Sequence, residues 1–223
     1  MKRHLAQEDW SKFTSWPTVL GTMFVGNAPY IKPMFEELMQ ENSELWREVL
    51  EETGVGAPAR LPYAPWTSGQ MVRTGYYLAR WGNDYSDLDS IFEFGPGYGT
   101  AALLIRRLGF DGDYFMYDLP EFEALQRYYL DEVHIEAMHV EAVAVKVDLF
   151  LAICSLSEAP LDVRVDVLQR VEAQSYLFVY GPGVWAGVNN KAFFQEFMAS
   201  RDDLTWQTYP SPYYLNLWYS IGK

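Results

Sequence analysis

Cysteine is nearly absent: Cys154 is the single one in 223 residues, so no internal disulfide is available. Positive charge is also scarce. Seventeen Lys and Arg stand against 30 Asp and Glu, giving a net charge of −13 and a pI near 4.6. Such a field is not attracted to a nucleic-acid backbone or an anionic membrane surface, which argues against both as partners and favours small neutral or cationic ligands. No apolar run is long enough to span a bilayer, and the opening residues, Met1-Lys2-Arg3-His4 followed by Gln7-Glu8-Asp9, lack the apolar stretch of a signal peptide. A reducing, cytoplasmic setting is the expectation. There is no internal repeat and no low-complexity tract.

Apolar residues are plentiful. They make up 49% of the chain, enough for a sizeable core, and 17% of residues are aromatic, including eight Trp and sixteen Tyr. Residues 1–88 read as a mostly helical N-terminal cap and connecting segment. Its clearest helix runs from Pro33 to Leu50, where Phe35, Leu38, Met39, Leu45, Trp46 and Val49 recur near helical spacing. Trp16 to Tyr30 is broken by Pro17, Gly21, Gly26 and Pro29 into short helices and turns. Gly54 to Pro65 reads as a loop. A second helix covers Gln70 to Trp81 and stops at Gly82-Asn83-Asp84.

Residues 89–223 alternate strand and helix patterns, the sign of a parallel sheet with helices on its faces. The predicted elements are a strand at Ser90–Phe94, a helix at Thr100–Leu108, a strand at Tyr114–Tyr117 and a helix opened by Pro120. A third strand is placed around His134 to Met138, within the mixed apolar run Val133–Val147. A buried strand follows at Val147–Cys154, then a helix started by Ser157 and Pro160 with Leu161, Val165, Leu168 and Val171 on one face. Next come a strand at Tyr176–Tyr180, a loop from Gly181 to Asn190 and a helix at Lys191–Ser200. Two β-rich segments, Leu204–Tyr209 and Tyr214–Ile221, suit a closing antiparallel pair at a sheet edge.

The stretch Ser90-Ile91-Phe92-Glu93-Phe94-Gly95-Pro96-Gly97-Tyr98-Gly99-Thr100 organises the chain: strand, tight turn, helix. Glycines serve where the backbone takes positive φ or approaches a ligand closely, and the helix start offers unpaired N–H groups. A dinucleotide fingerprint wants G-x-G-x-x-G, but position 100 is Thr. Glu93 would repel a pyrophosphate, and it suits a cofactor bearing an ammonium and a sulfonium, such as S-adenosylmethionine (SAM). Asp118 ends the next predicted strand, where an acidic residue can accept both hydroxyl protons of a ribose diol. Its alternative role is an N-terminal cap for the following helix.

Glu93-Phe94-Gly95-Pro96-Gly97-Tyr98-Gly99, then Tyr117-Asp118-Leu119-Pro120-Glu121, then Asp148-Leu149-Phe150 leading into Ser155-Leu156-Ser157-Glu158, resemble a class I SAM-dependent methyltransferase, and within that class the sugar O-methyltransferase group. The resemblance covers about residues 67–223. It implies an α/β, Rossmann-like, seven-stranded and mostly parallel sheet with an antiparallel last strand. It also implies that Glu93, Gly95 and Gly97, with Pro96 and Gly99 in the same turn, shape the methionine and ribose end, and that Asp118, followed by Leu119, meets the ribose hydroxyls.

The Asn/Asp-Pro-Pro-Tyr/Phe motif of many amino-group and nucleobase methyltransferases is missing. Cys154-Ser155-Leu156-Ser157-Glu158 stands in its place, which moves the reading toward an oxygen acceptor. A sugar hydroxyl is a poor nucleophile at neutral pH and gains from a general base. Glu158 is the first candidate, with a carboxylate at a helix start as its bland reading. His134 and His139, five apart, make no ready metal pair, and His139 lies nearer the expected strand tip. Metal independence is expected. Ser68, Gln70 or Arg73 are candidates for the cofactor carboxylate, with Arg73 best suited by charge; each equally suits a helix start. Trp16–Tyr30 and the loop bearing Trp185 are candidate acceptor walls.

The expectation is a SAM-dependent O-methyltransferase acting on a hydroxyl of a sugar or sugar-bearing small molecule. A phenolic natural-product O-methyltransferase and a non-catalytic SAM-binding interaction module are the alternatives. A homo-oligomer is compatible with this reading.

Overall fold

The computed structural model describes residues 9–140, 145–214 and 216–223. Its contacts gather into two units, one made of 83–96, 111–117 and 137–223 and the other of 1–82, 97–110 and 118–136.

The first unit is a seven-stranded sheet with two helices. In chain order the small strands β1 (Arg60–Leu61) and β2 (Ala64–Ser68) belong to the other unit. The sheet strands are β3 (Ser90–Phe94), β4 (Asp113–Tyr117), β5 (Met138–His139), β6 (Val145–Ile153) and β7 (Val171–Tyr180). After the two-residue strands β8 (Val184–Trp185) and β9 (Val188–Asn189) come β10 (Trp206–Pro210) and β11 (Trp218–Gly222). The spatial order is β10-β11-β7-β6-β3-β4-β5. Strands β5, β4, β3, β6 and β7 run parallel, and β11 is antiparallel to both β7 and β10. Burial explains the pattern: Ile91, Phe92, Glu93 and Phe94 are all buried, as are Leu149, Phe150, Leu151 and Ala152, which a strand covered on both faces requires. The aromatic content is spent here. Phe178 meets Phe194 at 5.3 Å and stacks on Trp206 at 6.1 Å, within a cluster that also buries Phe150 and Tyr176.

Several boundaries differ from the sequence expectations. β7 begins five residues earlier than Tyr176, because Val171 to Ser175 alternate buried and exposed as a half-covered strand does. The third strand is Met138–His139; His134 instead ends a helix in a left-handed conformation, φ 56°. Positions 141–144 of the apolar run Val133–Val147 lie outside the described residues, as does Leu215 in the last β segment. In the helix at Leu161–Arg170, Leu161 and Val165 are exposed and the buried positions are Arg164 and Val167. The loop from Gly181 to Asn190 contains the β8–β9 hairpin.

The second unit is mostly helical: α1 (Pro17–Thr22), α2 (Ile31–Val49), α3 (Gly69–Trp81), α4 (Thr100–Arg107) and α5 (Pro120–Glu132). In the sheet unit, α6 is Leu161–Arg170 and α7 is Asn190–Ala199. α2 breaks at Asn42, whose backbone is extended (φ −162°, ψ 91°) and whose side chain caps the next turn by accepting from Leu45 N–H at 3.1 Å. The segment read as a loop at 54–65 contributes most of the β1–β2 hairpin. α3 is capped by Ser68 and stopped by Gly82 at φ 72°. Its first residue has to be Gly, since a Cβ there would stand 1.9 Å from the Gly26 carbonyl oxygen.

Candidate cofactor site

The turn after β3 has all three of its glycines in the left-handed region: Gly95 at φ 66°, Gly97 at 62° and Gly99 at 104°. In the sheet unit, Gly95 donates to the Tyr117 carbonyl at 2.8 Å, tying the turn to the end of β4. A Cβ on Gly95 would meet the Ser155 Cβ at 2.3 Å, so the chain after β6 presses on the turn there. The Ser155 hydroxyl donates to the Phe94 carbonyl. Pro96 is buried. Glu93 sits one residue inside the strand end rather than at its tip, 3% exposed, and its Oε2 accepts from the Tyr114 hydroxyl at 2.7 Å. Residues 91 and 114 are register partners, so Tyr114 lies two positions behind Glu93 on the same face of the sheet.

In the helical unit, Tyr98 points inward and anchors the turn, with its ring edge-on to Phe13 at 5.1 Å and Tyr129 at 5.0 Å. Burial holds its hydroxyl well above the usual tyrosine range. Met23 Cγ lies 3.7 Å from where a Gly97 Cβ would stand, so the N-terminal segment reaches the turn. Asp118 and Gly97 are joined through Gln126 of α5, which sequence reasoning missed. Its Nε2 donates to the Gly97 carbonyl at 2.9 Å and to Asp118 Oδ2 at 2.8 Å. Asp118 Oδ1 accepts from Leu119 N–H at 2.7 Å. Burial pushes the Asp118 carboxyl up to about 6, against the lowering effect of these donors. Leu119 beside it is 60% exposed, an apolar surface next to a half-buried carboxylate.

Before α3, Ser68 is spent as the cap, accepting from Met71 N–H at 3.3 Å. Gln70 accepts from Val25 N–H at 3.3 Å and from Arg73 Nη2 at 3.2 Å. Among the described residues, Arg73 Nε and Thr67 Oγ1 are buried polar atoms without hydrogen-bond partners, and such atoms are costly unless a ligand or water meets them. Burial pushes the Glu52 carboxyl up, with the Ser68 hydroxyl opposing it. Within the helical unit, Gly97 and Gly99 without a Cβ, the accepting Asp118 carboxylate and the unmet Arg73 Nε are groups of the kind that close backbone approach, a ribose diol and an amino-acid carboxylate need.

The two candidate bases lie apart. His139, half-buried, is on edge strand β5, and Glu158 ends the turn Ser155–Glu158 after β6. β4 and β3 stand between those strands, a separation of about 14 Å at ordinary strand spacing, so the sheet does not place both on one atom. The turn that carries Glu158 starts at Cys154, a non-glycine residue at φ 68°, and such strain gathers at functional loops. Arg164, 0% exposed, braces it by donating to the Ser157 carbonyl at 2.6 Å, the Ala159 carbonyl at 2.8 Å and Asn190 Oδ1 at 2.6 Å. Trp185, 52% exposed, donates its indole N–H to the Glu158 carbonyl at 3.0 Å. Among the described residues no group of three or more His, Cys, Asp or Glu is placed to hold a metal ion, and no helix is long and apolar enough to cross a membrane.

The chain matches no protein-family profile and no curated protein sequence. Solved structures do match. The methyltransferase domain of bacterial CtHen1-C superposes with a TM-score of 0.52 at 9% identity, over 68% of this chain and 96% of that one. The glycopeptide N-methyltransferase MtfA, solved with sinefungin, gives 0.51 at 12% identity over 74% and 98%. A Thermoplasma acidophilum protein gives 0.50 at 12% over 68% and 88%. The fold shared with these structures, two of them methyltransferases, is a Rossmann-like α/β arrangement with a mostly parallel seven-stranded sheet.

Proposed function

We propose that this chain is a SAM-dependent methyltransferase that methylates a hydroxyl of a small acceptor, a sugar or sugar-bearing metabolite. The observation that carries the cofactor is the left-handed glycine turn after β3 combined with Asp118 at the end of β4. In this reading Gly95, Pro96, Gly97 and Gly99 let the backbone lie against the cofactor, Asp118 accepts from the ribose diol, and Arg73 receives the carboxylate. Glu93, hydrogen-bonded by Tyr114, adds negative charge where the cofactor is cationic. Leu119 offers its exposed apolar side to the base.

When bound, SAM supplies an electrophilic methyl group on its sulfonium. The chain's own part would be to hold an acceptor hydroxyl beside that methyl group and to take its proton on the Glu158 carboxylate. Oxygen is favoured over nitrogen because Cys154-Ser155-Leu156-Ser157-Glu158 offers a carboxylate where amino-group enzymes of this fold class carry an amide or acid followed by prolines and an aromatic. Trp185 supports the sugar reading: an exposed indole, fixed through its N–H, presents a flat face to a ring. That face suits a phenol as well, which keeps a phenolic acceptor as the second reading. A cytoplasmic location is part of this proposal.

The test is to incubate the protein with SAM and a panel of nucleotide sugars, free sugars, phenols and amines, and to measure S-adenosylhomocysteine. Release with a sugar hydroxyl supports the reading. Release only with amines overturns the acceptor, and binding without release on any acceptor overturns catalysis.

A further inference from the structure

We propose that Gln126 is the positioning residue of the cofactor site, locking the carboxylate of Asp118 to the carbonyl of Gly97 so that the carboxylate is held ionised and aimed before the cofactor arrives. This rests on the ribose role of Asp118 proposed above and assigns to the site a residue from the interior of α5.

The geometry is specific. Gln126 is 0% exposed, and its single Nε2 makes both bonds, 2.9 Å to Gly97 O and 2.8 Å to Asp118 Oδ2. An amide nitrogen carries two protons, so one side chain meets both acceptors at once. The opposite oxygen of Asp118 accepts from Leu119 N–H at 2.7 Å, so the carboxylate is gripped on both sides and its plane is set. An ionised carboxylate has about four acceptor directions; the Leu119 and Gly97 amides and Gln126 act on it, and room remains for a further donor. Among the described residues, the influences on Asp118 are burial, the Leu119 and Gly97 amides and Gln126, none of them a charged side chain. Among the described residues, Gln126 is thus the side chain that opposes the burial penalty. A donor at this place does two things. It holds the acceptor oxygens in register with the glycine turn, and it favours the charged form that accepts hydroxyl protons. Leu, Met or Ala here would fill space and do neither.

The experiment measures SAM affinity by calorimetry from pH 5 to 9 for the wild type, Gln126→Met, Gln126→Glu and Asp118→Ala. In the wild type, affinity falls as pH drops through about 6. Gln126→Met keeps the length and removes the donor, and the midpoint is expected to rise by about one unit, with affinity at pH 7 down several-fold to tenfold and largely recovered at pH 9. Gln126→Glu keeps the volume, places a like charge beside Asp118 and is expected to shift the midpoint further in the same direction; it carries the test if the Met variant does not fold. In the Asp118→Ala background, Gln126→Met should add no pH-dependent loss. A uniform loss at every pH with an unmoved midpoint, in either Gln126 variant, overturns the proposal and leaves Gln126 a packing residue. If Asp118→Ala binds SAM as the wild type does, the ribose reading itself fails, a result separate from anything the Gln126 variants show.

Discussion

Asp118 and Gly95 show most sharply what single residues contribute. Burial raises the Asp118 carboxyl to about 6. In the unliganded protein the native state therefore holds this proton more tightly than the unfolded chain does. The contribution to stability is fully present below the ordinary carboxylate value near 3.8 and is lost as pH rises through about 6. In the proposed cofactor role binding would run the opposite way, because the ionised form is the one that would accept the diol protons. SAM affinity should rise with pH up to about 6 and then level off, with a proton released on binding at pH 5; calorimetry in buffers of different ionisation enthalpy reads that proton directly. Gly95 makes a steric prediction. Gly95→Ala combines a left-handed φ of 66° with a Cβ 2.3 Å from that of Ser155, and it should lower stability by roughly 2 kcal/mol or more and weaken SAM binding. Thermal unfolding and calorimetry check the two effects. Both residues were legible in the sequence, since glycine spacing and an acidic strand end are local signals. Gln126 was not, because an amide eight positions beyond Asp118 on a helix carries no mark of its partner until the fold brings the two together.

Among the elements, the turn after β6 depends on a buried cation. Arg164 donates to three oxygens around Ser157, Ala159 and Asn190 and is fully buried. Arg164→Met would leave those acceptors unmet and should destabilise by about 3 kcal/mol, lowering the melting temperature and loosening the turn that carries Glu158. The sequence pattern placed Leu161 and Val165 on the inner face of this helix; the structure turns the helix so that Arg164 and Val167 face inward. Periodicity registers apolar residues and is blind to a charged one buried by hydrogen bonds. β7 begins at Val171, which the apolar pattern counts on that helix face. For the turn itself, Glu158→Gln keeps the main-chain bond from Trp185 and removes the proposed base. Turnover should fall by about 10²-fold or more at neutral pH with SAM affinity unchanged, and an unaltered turnover would remove Glu158 from the mechanism.

At the scale of the molecule, the alternation of strand and helix after residue 89 and the closing β pair were readable because each strand is short, apolar and bounded by turn residues. The antiparallel closing strand matches that reading, while the strand order and the hairpins at 60–68 and 184–189 needed the tertiary structure. The net charge of −13 predicts no affinity for DNA or RNA at physiological salt, which a gel-shift titration checks. The central claim is that the glycine turn and Asp118 bind SAM. Its most direct test is calorimetric titration of the wild-type chain and Asp118→Ala with SAM, with NAD as the control, at pH 7.5. The account predicts saturable 1:1 binding of SAM by the wild type, loss of at least tenfold in affinity for Asp118→Ala, and no heat with NAD. Absence of SAM binding, or binding of NAD in its place, would contradict it.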